Sequence, residues 1–351
     1  MTPSDSNPSP LTFSQAEKEE AGMIAALRRA SSIGVKVLEN QAMKEAPDRD
    51  AILVMAFGTT YSETRRKTIE AVEKDIHRLY PEIPILEAYT SKIIIKRVHL
   101  KENVLKASPA RAFRKLKEEG YTRIAVVALN IIPGIEYDYT CLFAESQLSM
   151  FKKIVISTPL LYFQGVKDQR DDVADLLEAM KGQFPPLDDG DAILLMAHGT
   201  PHPANAYYSV IQDRIREMGL GPVFVYTVEG RPSLEDIIPP LKKQHIHHVT
   251  LMPTMLVAGD HANNDMAGDD PDSHKNILIR EGFTVSTYIH GLGENEKVRR
   301  LYAARAIETM NALLNKNKRF MNFPSSHGFP SDHIYPRFQK CLLKVGIFLY
   351  L

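Results

Sequence analysis

Ala51-Ile-Leu-Val-Met-Ala-Phe-Gly-Thr-Thr60 returns as Ala192-Ile-Leu-Leu-Met-Ala-His-Gly-Thr-Pro201, shifted by 141 positions. Each copy is an apolar run that stops abruptly at Gly-Thr. That is the pattern of a strand buried on both faces that feeds a tight turn before a helix. The copies differ chiefly at their seventh position, Phe57 in the first and His198 in the second. A buried strand with a histidine at its carboxyl end places an imidazole where parallel α/β sheets bind ligands. The repeat implies two similar halves, and the Phe-to-His difference implies that the second half carries the chemistry.

The flanking sequence supports that architecture. From Asp50 onward, strand-like and helix-like runs alternate, the rhythm of βαβ units and a parallel sheet. Strands are expected at 51–57, 84–89, 123–131 and 153–157, with helical runs at 62–79, 109–119, 136–150 and 166–182. The second half repeats this with strands at 191–197, 223–228, 247–254 and 283–288, and helices at 204–218, 233–243, 273–281 and 294–315. The turn-rich Gln183-Phe-Pro-Pro-Leu-Asp-Asp-Gly190 is the natural hinge. The fold expected is α/β, two similar doubly wound parallel-sheet domains at 50–182 and 191–316 that face a central cleft. Residues 1–49 read as a partly helical extension, because 15–46 is rich in Ala, Glu, Lys and Leu and has no proline. Residues 317–351 are a tail with no assigned role.

Bulk properties exclude several classes of function. The 351 residues carry 43 basic and 43 acidic side chains, so no global field favours nucleic acid or an anionic membrane. Two cysteines, Cys141 and Cys341, offer neither a disulfide framework nor a paired thiolate site. No stretch reaches the roughly 18 apolar residues of a membrane span, and residues 1–11 lack a signal-peptide pattern. The cytoplasm is the expected compartment. There is no Gly-x-Ser-x-Gly elbow, Walker loop, Gly-x-Gly-x-x-Gly or His-Glu-x-x-His.

What remains is a set of polar residues at strand ends in the second half. His198 ends the first strand, Glu229 ends the second and His261 follows the third, at separations of 31 and 32 residues. Positions one βα unit apart recur on neighbouring strands at the same sheet edge. A single strand-end histidine is ordinarily a structural hydrogen-bonding residue. Three such groups at matched strand ends suit a divalent first-row metal with open coordination positions. The first half is an internal control, with Phe57, Thr90 and Glu136 at the equivalent places. It lacks that ligand set, though Glu136 is available as a base or transient ligand across the cleft. His245, His247 and His248 lie before and within a strand and are set aside. Asp265, Asp269, Asp270 and Asp272 read equally as a cation funnel and as a solvated capping loop.

Phe57-Gly-Thr-Thr-Tyr61, Ala88-Tyr-Thr-Ser-Lys-Ile-Ile94, Ile131-Ile-Pro-Gly-Ile-Glu-Tyr137, Met196-Ala-His-Gly199 and above all Leu256-Val-Ala-Gly-Asp-His-Ala-Asn-Asn-Asp-Met-Ala-Gly-Asp-Asp270 carry a resemblance. Over about 50–316 the chain resembles the sirohydrochlorin cobaltochelatases of anaerobic cobalamin biosynthesis, class II chelatases related in fold to protoporphyrin ferrochelatase. The resemblance implies a lyase that inserts Co2+, as substrate, into sirohydrochlorin, with no organic cofactor. It implies metal binding by His198, Glu229 and His261. Asn130, where members often carry His, and His274, where Trp is common, depart from the pattern. Sirohydrochlorin is a polycarboxylate, so cations at the cleft mouth are expected to orient it: Lys92 and Arg231, with Lys96 and Arg97 as further candidates. Two alternatives stay open: an Fe2+ or Ni2+ chelatase, and a non-catalytic metal or tetrapyrrole binder. The expected partners are the tetrapyrrole and the metal, with no nucleic acid or membrane. Homo-oligomerisation is left open.

Overall fold

The two quoted runs form the central strands of two parallel sheets. The computed structural model describes residues 22–23, 33–166 and 169–315. The first sheet contains β1 (Lys36–Glu39), β2 (Asp50–Ala56), β3 (Ile85–Tyr89), β4 (Arg123–Ala128) and β5 (Lys153–Ile156) in the order β1-β5-β4-β2-β3. Only β1 is antiparallel. Its helices are α1 (Ser62–Lys67), α2 (Ile69–Leu79), α3 (Lys92–Glu102), α4 (Pro109–Glu118), α5 (Ile135–Ser146) and α6 (Asp172–Met180). The second sheet is fully parallel, with β6 (Asp191–Ala197), β7 (Val223–Thr227), β8 (His248–Pro253) and β9 (Thr284–Thr287) in the order β7-β6-β8-β9. Around it lie α7 (Ala206–Glu217), α8 (Leu234–Lys243), a π-helical turn (His261–Met266) and α9 (His274–Arg280), and the chain continues into α10 (Glu296–Leu313).

Alternation along β2 explains why its sequence is apolar throughout. Ile52, Val54 and Ala56 enter one core, and Ala51, Leu53 and Met55 enter another. In β6, Ile193, Leu195 and Ala197 join the same core as Ile52, while Ala192, Leu194 and Met196 form a third. A central core thus joins two lobes that each keep an outer core of their own. Truncating a fully buried residue of the shared layer, such as Leu195, to alanine is expected to cost about 2–5 kcal/mol.

Both sheets place the site by topology. β2 pairs with β3 on one side and β4 on the other, and β6 does the same with β7 and β8. The carboxyl ends of β2 and β6 are therefore switch points, where doubly wound sheets open a crevice. Phe57 and His198 stand there.

Three details differ from the sequence reading. Where 15–46 was expected to be helical, 36–39 is an edge strand, because pairing with β5 outweighs local propensity. Of the rest of that extension, 22–23, 33–35 and 40–49 are described, with a 3-10 turn at Gln41–Met43, while 1–21, 24–32 and the tail 317–351 lie outside the described residues. The helix at 92–102 was not anticipated; Ser91 caps it by accepting a hydrogen bond from the Ile94 amide. The closing helix α10, sequentially part of the second half, packs on the first sheet. It buries Val298, Tyr302, Ala306 and Met310 in the shared core. Tyr302 Oη donates to Leu129 O (3.2 Å), and Arg305 Nη2 donates to Asp172 Oδ1 (2.6 Å).

Candidate metal centre

His198 follows the last residue of β6 directly, and the ladder runs on beyond the strands. The Val228 amide donates to Ala197 O (3.0 Å) and the Glu229 amide to His198 O (2.8 Å). Gly199 makes this approach feasible. Its φ is +85°, and a Cβ there would lie 2.5 Å from the Gly230 nitrogen. His261 arrives from the third strand, as the first residue of the π-helical turn. Such turns inside otherwise ordinary helical segments occur frequently at functional sites.

The three expected groups converge. One ligand atom from each of His198, Glu229 and His261 lies within 4.8 Å of the others. The imidazoles meet edge to face, with centroids 4.8 Å apart and planes at 88°. His198 Nδ1 is 3.9 Å from Glu229 Oε2 and 3.0 Å from Gly199 O. Ligands of a tetrahedral ion at about 2.1 Å sit about 3.4 Å apart, so small side-chain rotations close this set on a metal. His198 and Glu229 are exposed and His261 is half-buried, which leaves room for a second molecule to reach the ion. His261 Nδ1 is bonded to Asp265 Oδ2 at 2.5 Å.

The other lobe presents different chemistry. Phe57, 51% exposed, occupies the place equivalent to His198. Thr90 Oγ1 donates to Glu136 Oε2 (3.2 Å), tying the first turn of α5 to the end of β3. Asn130 Oδ1, just beyond β4, is buried without a hydrogen-bond partner among the described residues. Lys92 is exposed at the start of α3, with Lys96 and Arg97 exposed further along it. Arg231 follows Glu229 closely in sequence, but its guanidinium is 85% exposed and 3.7 Å from Asp236, so it sits on the rim. His274 is half-buried under Tyr226, whose Oη is 3.1 Å from its Nδ1. Burial holds its pKa below the ordinary value. His248 is bonded to Asp191 and Ser286, away from the cluster.

The lobes touch at the cleft through residues the sequence reading did not single out. Tyr61 Oη donates to Asp260 Oδ1 (3.5 Å), and His202 Nε2 pairs with Asp138 Oδ2 (3.3 Å). Burial, then the charge of Asp260, raises the Tyr61 pKa.

The fold is shared with known proteins. SirB from Bacillus subtilis, solved with Fe3+, aligns with a TM-score of 0.50 at 17% identity, covering 76% of this chain and 98% of that one. Two α/β lobes of this kind, together with the sequence match over most of the chain, make this a chelatase of the two-lobed α/β type. The sequence matches the cobalt chelatase (CbiK) family over residues 50–311, and the chain belongs to that family. It is 33% identical to the sirohydrochlorin cobaltochelatase of Salmonella typhimurium strain LT2 over 268 residues, covering 76% of this chain and 99% of the relative. The sirohydrochlorin cobaltochelatase CbiKC of Nitratidesulfovibrio vulgaris strain Hildenborough is 31% identical over 250 residues, 71% of this chain and 86% of that protein. Among the described residues, no helix is long and apolar enough to cross a membrane.

Proposed function

We propose that the protein inserts Co2+ into sirohydrochlorin in cobalamin biosynthesis, taking the ion from solution on His198, Glu229 and His261. The observation that carries this reading is the convergence of those three groups at the switch point of the second sheet. Three side chains leave the coordination shell of a first-row ion incomplete, as hand-over to four pyrrole nitrogens requires. One Co2+ enters the macrocycle and two pyrrole protons leave. A neutral imidazole is a suitable acceptor near pH 7. Glu136, oriented by Thr90 on the opposite wall, is a second acceptor. Lys92 and Arg231 are proposed to hold substrate carboxylates at the rim, and residues 50–182 and 191–316 to act as the two walls of the cleft. No organic cofactor enters this scheme. The near-neutral charge balance and sparse cysteines fit reaction in the cytoplasm.

Histidine and carboxylate ligands follow the general affinity order of divalent metals and do not by themselves select cobalt. The test is therefore comparative: initial rates with purified protein, sirohydrochlorin, and Co2+, Fe2+ or Ni2+ in turn. Multiple turnovers fastest with Co2+ are expected. A higher rate with Fe2+ or Ni2+ would reassign the metal, and product limited to one per site would mean a binding protein.

A further inference from the structure

We propose that Asp265 is a positioning residue for metal transfer, holding the His261 imidazole so that Nε2 faces the cleft and Nδ1 carries the proton. This rests on the reading of His261 as a metal ligand. The geometry is direct: Asp265 lies four residues beyond His261 in the π-helical turn, and its Oδ2 is 2.5 Å from Nδ1. A carboxylate takes only the accepting role in that bond, which leaves the lone pair on Nε2 for the ion. His198 has no carboxylate partner as close: its Nδ1 is 3.0 Å from Gly199 O and 3.9 Å from Glu229 Oε2. Each imidazole thus has Nδ1 within hydrogen-bond distance of an oxygen acceptor.

The internal duplication supplies the control. In the first lobe the positions equivalent to His261 and Asp265 are Glu136 and Thr140. There Thr140 Oγ1 donates to the Glu136 carbonyl (3.0 Å), an ordinary bond within a helix. The carboxylate at the fourth position accompanies only the lobe whose helix begins with histidine. The acidic loop beyond it has other engagements. Asp269 pairs with Lys275 (3.2 Å), and the Asp272 amide donates to Asp270 (2.8 Å). Asp265 alone of the four is bonded to the cluster.

The experiment compares Asp265→Ala, Asp265→Asn and Asp269→Asn in the full chain. Asp265 is 46% exposed, so neither replacement buries an unpaired group, and thermal melts confirm folding. Loss of such an outer partner typically costs 10–100-fold in metal affinity or activity. Asp265→Ala is expected to raise the KM for Co2+ by about that factor, to alter the visible spectrum of bound Co2+, and to move the His261 ring proton to Nε2 by 15N NMR. Asp265→Asn keeps an acceptor oxygen and is expected to restore the Nδ1–H tautomer and most of the affinity. Unchanged KM and tautomer in Asp265→Ala would overturn the proposal. So would an equal loss in Asp269→Asn, which would assign the effect to the charge of the loop. His261→Ala separates the two levels. If it leaves Co2+ binding intact, the metal-site reading itself fails; if it abolishes binding while Asp265→Ala does not, only the positioning role fails.

Discussion

Thr59 stands over Gly259 across the cleft, so that a methyl group added to that glycine would lie 3.3 Å from the Thr59 hydroxyl. A looser counterpart occurs in the other direction, where a methyl on Gly134 would lie 3.9 Å from Thr200 Cγ2, an ordinary van der Waals contact. Thr59 and Thr200 are equivalent in the duplication, as are Gly134 and Gly259. The polar pairs beside them, Tyr61 with Asp260 and His202 with Asp138, begin from equivalent positions too, because His202 corresponds to Tyr61. The lobes therefore meet by a reciprocal exchange of the loops beyond their first and third strands. Of the two approaches, that of Thr59 to Gly259 is the tight one, and a side chain at Gly259 would have to push the lobes apart there by a few tenths of an ångström or displace Thr59.

That spacing is open to test at Gly259. The Thr59 hydroxyl accepts a hydrogen bond from the Tyr61 amide (3.3 Å), so it does not swing aside freely. Gly259→Ala is expected to lower kcat/KM for insertion by about tenfold and stability by about 1 kcal/mol, the lower end of an overpacking cost. Adding Thr59→Ala should recover most of the activity. A fully active Gly259→Ala would show that this contact does not set the width of the cleft.

The three converging groups should behave as one site. His198→Ala, Glu229→Ala and His261→Ala are each expected to reduce cobalt insertion by at least about a hundredfold, with folding largely spared because none is buried. Near-normal turnover at saturating Co2+ would remove that residue from the mechanism.

The lobes should remain unequal when the key difference is reversed. Phe57→His puts an imidazole at the first switch point, but Thr90 and Glu136 beside it are bonded to each other and are not a histidine–glutamate pair. Equilibrium dialysis of the variant should give the same number of tight metals per chain as the parent. One extra tight ion would contradict the division of labour between the halves.

Rim cations should act on binding more than on chemistry. Lys92→Ala and Arg231→Ala are expected to raise the tetrapyrrole KM in a salt-dependent way with kcat little changed, because exposed charges attract ground and transition states alike. A fall in kcat at unchanged KM for Arg231→Ala would move that residue into the catalytic set.

Away from the cleft, Glu73 makes stability depend on pH. Burial, and after it the Glu87 carboxylate, raises its pKa from 4.5 to about 7. The folded state then holds a proton that the unfolded chain releases, so stability falls as pH rises from the unfolded value through about 7. Glu73→Gln removes that penalty. Denaturant titrations should find the variant more stable by about 1–2 kcal/mol at pH 8, the linkage value discounted for partial exposure, and little changed at pH 4. A gain of equal size at both pH values would rule out this origin.

The repeat was legible because each copy is buried on both faces and ends in Gly-Thr, which marks a central parallel strand and its switch point. Spacing of one βα unit points to Glu229 and His261 as neighbours of His198, and the three do converge. Other features left weaker traces. Ile93-Ile-Ile95 has no helical periodicity, and α3 buries only Val98, so its sign was the Ser91 cap. The apolar spacing Val298, Tyr302, Ala306 and Met310 in α10 announces a buried face, with Arg305 and Thr309 buried beside it, without saying which sheet receives it. The His261-x-x-x-Asp265 spacing was visible, but an acidic loop offers many such spacings, and only the π-helical turn selects this one. The reciprocal loop contacts depend on the pose of two lobes, which local sequence does not encode.

The return of α10 to the first sheet has a consequence for how the molecule is made. Ile52, Val54, Ala125 and Val127 share a core with Val298, Tyr302, Ala306 and Met310. A ribosome delivers the first four long before the last. The amino-terminal half therefore leaves synthesis with an uncovered apolar face and closes only once residues 298–310 have followed it. Contacts of such long sequence separation are slow to form and keep the nascent chain exposed to aggregation. No single cut through the chain separates the repeats into self-sufficient pieces. A circular permutant that moves 296–313 ahead of residue 50 would let the first lobe seal itself as it emerges.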